Sequence, residues 1–183
     1  MNTRNPRYVC RAAAAVLTTA LLAACAQPDV SHYAAERPKL DLQKYFATRS
    51  HAWGMFQTRS GEVQKRFTVT IDSQGAGDQL VLDEQFVYSD GKTQERRWTL
   101  QRAADGVWHG TAPDVVGEAI GRIAGNTLNW RYTLRQPVGD TTYDLDFDDW
   151  MYLMDDQTLI NRARVSKFGI EVGQVTLFFR NQE

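Results

Sequence analysis

Six aspartates crowd one short stretch of this chain: Asp144, Asp146, Asp148 and Asp149, then Asp155 and Asp156. Carboxylates at that density are the donors a hard cation takes. The run Asp-Leu-Asp-Phe-Asp-Asp, however, lacks the central glycine and distal glutamate of a calcium-binding loop. On an extended strand, residues two apart share a face. Asp144, Asp146 and Asp148 therefore face solvent if Tyr143, Leu145 and Phe147 face a core, and neither metal nor cofactor is expected. The block from Asp148 to Asp156 interrupts the alternation and suits the mouth of a barrel. Methionine and aromatic side chains adapt to irregular apolar ligands, so Trp150, Met151, Tyr152 and Met154 are candidate ligand contacts. At least one pair should face inward, with Trp150 and Tyr152 sharing a side. Trp53, Phe67 and Phe86 are the expected opposing walls.

A second set of residues suits a polar head group or a buried polar network: Asp83, Glu84, Arg96, Asp148, Asp149 and Arg162. Arginine pairs bidentately with carboxylates and phosphates. The competing reading is plain surface exposure, because alternation puts charges outside. Signals for catalysis are weak. His32, His51 and His109 are scattered, no serine sits in a G-x-S-x-G elbow, and no glycine loop cradles phosphate. Gly117 and Gly121 are spaced as G-x-x-x-G, but without an apolar membrane helix that spacing means close strand packing or a bulge. No catalytic residue is assigned.

The elements that must position these side chains follow a period of two. Val63, Phe67, Val69 and Ile71 share a face, as do Leu80, Leu82, Phe86 and Tyr88, interrupted by Glu84. Leu128, Trp130, Tyr132 and Leu134 repeat the pattern. Between the runs stand Ser60-Gly61, Asp90-Gly91, Asp105-Gly106, Gly125-Asn126 and Gly139-Asp140, pairs that supply the positive φ of tight hairpins. Nine or ten short-linked strands must hide their edges, and an up-and-down antiparallel barrel does so by closing. The expected fold is all-β and lipocalin-like, over residues 39–183, with a two-sheet sandwich as competitor. Leu40 to Phe46 reads as one helical turn plugging an end.

The first 24 residues read as a signal peptide. Arg4, Arg7 and Arg11 precede an apolar stretch from Ala12 to Ala24, too short for a comfortable permanent span. Leu22-Ala23-Ala24-Cys25 resembles the lipobox of bacterial lipoproteins, which implies a diacylglycerol on Cys25 and cleavage before it. Residues 25–38 then form a flexible tether. The leader holds three arginines and no acid, so a chain of formal net charge −1 becomes −4 once it is removed. That charge argues against a nucleic-acid partner and against wide electrostatic docking onto anionic lipid. Membrane attachment must come from acyl chains. The remaining partner expected is a fatty acid or lipid; protein partners cannot be read from the residues.

Larger blocks resemble a known family. Ala52-Trp53-Gly54-Met55-Phe56-Gln57, Arg59-Ser60-Gly61 and Leu82-Asp83-Glu84 are similar to DUF3833 lipoproteins. So are Asp148-Asp149-Trp150-Met151-Tyr152-Leu153-Met154-Asp155-Asp156, Asn161-Arg162 and Lys167-Phe168-Gly169. The resemblance implies an envelope lipoprotein, with Ala26 after the cysteine pointing to the periplasmic face of the outer membrane. It implies no catalytic residues. Three functions stay open: a barrel binding an apolar ligand, a lipid-modifying enzyme using interior Asp, Glu and Arg, and a filled barrel serving envelope structure or assembly.

Overall fold

The computed structural model describes residues 28–182. The expected signal segment and Cys25 lie outside the described residues. Ten antiparallel strands follow one another: β1 (Ser50–Thr58), β2 (Val63–Ala76), β3 (Gln79–Tyr88), β4 (Thr93–Arg102), β5 (Trp108–Thr111), β6 (Val115–Ala124), β7 (Thr127–Val138), β8 (Thr141–Leu153), β9 (Thr158–Lys167) and β10 (Ile170–Asn181). Each pairs with its chain neighbours, and β1 pairs with β10 from Ser50↔Asn181 to Thr58↔Gly173, so the sheet closes into an up-and-down barrel. Closure satisfies both outer ladders at once, which a sandwich does not. Ten strands also leave a wider interior than the eight whose side chains just fill a barrel.

The inward faces are those the alternation indicates. Val69 and Ile71 of β2, Leu80 and Leu82 of β3, Trp98 and Leu100 of β4, and Leu128 and Trp130 of β7 are buried. One end is stoppered by helix α1 (Leu42–Tyr45), which Asp41 caps by accepting the Gln43 and Lys44 amides at 3.0 and 3.2 Å. Leu40, Leu42, Tyr45 and Phe46 are all buried there. The stopper is bonded around the circumference. Gln43 donates to the Gly77 and Gln79 carbonyls, Ser73 to that of Phe46, Asn181 to that of Tyr45, and the Tyr45 hydroxyl to that of Gln157.

The described part of the expected tether is not a free linker. Asp29 caps a 3-10 turn (Val30–Tyr33), and the Tyr33 ring packs 6.0 Å from Trp150 and 5.5 Å from Tyr152. Residues 28–38 thus strap onto the outer flank near the stoppered end.

The wall is weakest beside the open end. β5 covers only Thr99–Arg102 of β4, and β6 slips register against β7 between Val116 and Ile120. Gly117, at φ +71, lies in that bulge.

Candidate functional site

The inward side chains do not fill the barrel. A cavity of about 1390 Å³ runs from Leu42 and Phe46 on the stopper to Lys65, Lys92 and Lys167 at the open mouth. Its wall is mostly aliphatic and aromatic. Phe67, Phe86 and Tyr88 cluster at centroid distances of 5.6–6.2 Å. Phe67 is admitted by Gly54, where any Cβ would overlap its ring. Across the cavity Tyr132 stacks on Phe147 at 5.1 Å, and Trp98 meets both Trp130 and Tyr132 edge-on.

Two polar groups interrupt this wall. In the first, Arg96 makes a bidentate contact with Asp114, Nη2–Oδ2 2.9 Å and Nε–Oδ1 3.1 Å, and lies 3.6 Å from Glu84. Its guanidinium also sits over the Phe86 ring. Asp114 belongs to the β5–β6 connection, so this triad clasps the wall where the ladder between β4 and β5 has stopped. Burial pushes the Glu84 carboxyl up to about 7; Arg96 opposes that shift and Asp114 adds to it. In the second group, Asp149 accepts hydrogen bonds from the Tyr132 hydroxyl and the Asn161 amide, each at 3.3 Å. Burial raises its carboxyl to about 7, the two hydrogen bonds opposing and Asp148 reinforcing. The other side-chain oxygens of Asp149 and Asn161 are enclosed without a partner. A proton held on Asp149 turns one of these acceptors into a donor.

Several candidate residues do line this cavity: Phe67, Phe86, Met151, Glu84, Arg96 and Asp149. The others do not. Strand β8 keeps its odd positions inward without interruption, so Trp150 and Tyr152 point outward together and are covered by Tyr33. Trp150 and Tyr152 share a side as expected, but that side is the outer one, so as ligand contacts they are corrected to an outer-face pair; of the four candidates in this block, Met151 lines the cavity. Trp53 is 52% exposed against Phe178, and Met154 is 56% exposed beyond the end of β8. Asp83 pairs outside with Arg97 at 3.2 Å, and Arg162 donates to Gln174. Asp148 faces outward under Arg131, Arg164 and Asn129. Asp144 and Asp146 pair across β7 with Arg135 and Thr133, the outward orientation expected for the even aspartates.

Sequence reasoning missed Asp114, Tyr132 as a polar contact, Asn161 and the three mouth lysines. Asp114 carries no strand signal. The lysines sit at strand ends, where either face is open to a charge. Asn161 follows the alternation of β9 and was legible as an inward polar residue.

Comparison with known proteins adds one match. A family model described as "Protein of unknown function (DUF3833)" matches residues 19–181. No curated protein matches the chain. A match over nearly the whole chain, on a barrel with this cavity, is sufficient: the chain belongs to the DUF3833 family.

Proposed function

We propose that this protein binds an elongated apolar ligand, a fatty acid or another acyl lipid, with its chain in the barrel and its polar head at the mouth. The carrying observation is the continuous, mostly aromatic and aliphatic cavity of about 1390 Å³ open at one end. Ligand sites for small molecules commonly run to roughly 300–1,000 Å³, so the space suits a long chain. Charge favours one orientation. Arg96, deep in the wall, is already shared by Glu84 and Asp114, whereas Lys65, Lys92 and Lys167 line the mouth. An acidic head is favoured beside the lysines and disfavoured beside the interior carboxylates.

The enzyme reading has one observation in its favour, two cavity carboxyls raised to about 7, the range of a general acid or base. Against it, Glu84 is held in the clasp and the unpartnered oxygen of Asp149 is enclosed. The open cavity counts against a filled structural barrel. The same proposal holds the protein at the periplasmic face of the outer membrane by acyl chains on Cys25, a reading that rests on the lipobox resemblance.

The test is a thermal-shift titration with fatty acids of graded chain length, alongside mass spectrometry of lipids that co-purify with the detergent-extracted protein. Melting temperature should climb with the logarithm of ligand concentration. Leu145→Trp, which fills the upper cavity, should shorten the longest chain accepted. Trp150→Ala, on the outer face, should leave the response unchanged. No shift with any chain length, and no co-purifying lipid, would remove the binding reading.

A further inference from the structure

The open end of the barrel is apolar in a way that folding does not require. Pairing of Lys167 with Ile170 leaves Phe168-Gly169 as a two-residue hairpin, with φ of +52 and +77. Positive φ at both positions is the turn geometry that favours Asn-Gly. A bulky residue in the left-handed region is a genuine outlier, and here it gains no burial, since Phe168 is 89% exposed with the neighbouring Lys167 ammonium 5.2 Å from its ring. A local rule broken without structural compensation marks function.

Phe168 is not alone. Ile170, Val172, Val138 and Val63 are also exposed, and they sit on the β9–β10, β7–β8 and β1–β2 hairpins. Those three hairpins are consecutive around the mouth, because β1 adjoins β10 and β9 adjoins β8. Lys167 lies within the same arc, its ammonium 3.6 Å from the Tyr143 ring centroid and 5.2 Å from that of Phe168. Lys65 and Lys92 also line the mouth, Lys92 with its ammonium 3.7 Å from Asp90.

We propose that this arc is a lipid-bilayer contact surface, seating the mouth on a membrane containing anionic lipid. Apolar hairpin tips beside lysines that can lift their heads to the headgroup layer are the chemistry of an interfacial contact. A protein partner instead requires a packed, contiguous apolar centre, and the centre of this arc is the opening of the cavity. The acids of this end, Glu62, Asp90, Asp140 and Glu171, nearly balance its cations, so the tips carry most of the contact and the lysines bias it toward anionic lipid. The net charge of −4 expected without the leader gave no hint of this, because docking here depends on one end rather than on the total. The strap of residues 28–38 lies at the opposite, stoppered end, so the contact is distinct from any attachment through the N-terminus. The proposal concerns the rim and does not depend on what occupies the cavity.

The full-length chain with Cys10→Ser and Cys25→Ser tests it. A single new cysteine, Ser60→Cys at the mouth or Asp105→Cys at the stoppered end, carries a nitroxide. Vesicles are phosphatidylcholine alone or phosphatidylcholine with phosphatidylglycerol. With anionic vesicles the label at position 60 should become accessible to oxygen and protected from a nickel chelate, while the label at position 105 stays aqueous. Phe168→Asn should raise the melting temperature, since asparagine suits the turn, and should weaken the lipid signature. Adding Ile170→Ser and Val138→Ser should abolish it in a protein that still melts cooperatively. An aqueous label at position 60 with both vesicles overturns the proposal. So does a lipid signature that survives all three substitutions, or a mouth label that is immobilised without vesicles as light scattering reports a dimer.

Discussion

Asp149 and Glu84 are carboxyl groups whose chemistry departs far from its ordinary behaviour, and the departure has a readable sign. Both carboxyls are raised to about 7 by burial from ordinary values of 3.8 and 4.5. Below about pH 4 the folded and unfolded chains hold these protons alike. Between about pH 4 and 7 the unfolded chain ionises first, so these groups lower stability as pH rises, and the loss levels off above 7. Asp149→Asn keeps a neutral hydrogen-bonding group at that site. It should remove on the order of 3 kcal/mol of the loss between pH 5 and pH 8, or roughly 6–12 °C in melting temperature for a chain of this size. Calorimetry of the variant against the wild type at the two pH values measures it, and equal slopes would show that Asp149 is ionised throughout. Its alternation on β8 made Asp149 distinguishable from Asp148 by parity alone, yet its partner Asn161 lies 12 positions away and only pairing of β8 with β9 brings them together.

Besides the register shifts at Phe56/Gln57 and Glu171/Gly173, the ladder is irregular along β4 to β7, where two of the features have a side-chain cause. Gly110 of β5 and Gly121 of β6 lie under the Trp130 ring of β7, where a Cβ at either would overlap the indole. Gly121→Ala should therefore cost about 1–3 kcal/mol by overpacking, seen as a lower denaturation midpoint with an unchanged m-value. Gly117, the other half of the G-x-x-x-G spacing, serves the neighbouring bulge instead. The β4 edge left bare by short β5 is closed by the Arg96–Asp114–Glu84 clasp. Arg96→Met leaves the Glu84 and Asp114 carboxyls, 14% and 25% exposed, without their cation and should destabilise by about 3 kcal/mol. Asp114→Asn, which keeps a hydrogen-bonding group and relieves the repulsion on Glu84, should cost less. Equal losses for the two variants would mean that the clasp is held by shape rather than by charge.

At the scale of the molecule the barrel has two unlike ends. The stoppered end combines buried Phe46 with bonds from the stopper to β2, β3, β10 and the turn before β9, so Phe46→Ala should cost about 3–5 kcal/mol through the void it leaves. The same substitution extends the cavity downward, and longer fatty acids should then give a larger thermal shift than in the wild type. The open end is lined by lysines and aromatic rings and is left unfilled. Attachment is a separate matter. Intact mass of the mature protein should start at Cys25 with acyl chains added, and a mature protein without acyl mass would remove the lipidation reading; Cys25→Ser should weaken membrane fractionation, leaving only the association that the mouth supplies.

Period-two alternation belongs to each strand by itself, because successive side chains leave opposite sides of an extended backbone. Hence Val69 and Ile71, Leu80 and Leu82, and Trp130 and Tyr132 announce their inward faces before any partner strand is known. The glycine-containing turns are equally local, since positive φ is a property of one residue, and the stopper is legible in Leu42, Tyr45 and Phe46. Parity with Asp144, Asp146 and Asp148 already puts Trp150 and Tyr152 on the outer face, but residue type argues for the inside. What covers these outward rings is Tyr33, more than a hundred positions earlier, a contact that no strand pattern shows. The Phe168-Gly169 hairpin went unread for a related reason: phenylalanine is a poor turn residue, and only the pairing of Lys167 with Ile170 forces it into one. Closure, the Arg96–Asp114 clasp, the Asp149–Asn161 contact and the cavity itself belong to the tertiary structure. Each depends on how many strands complete the circle and in what register, and no single strand carries that information.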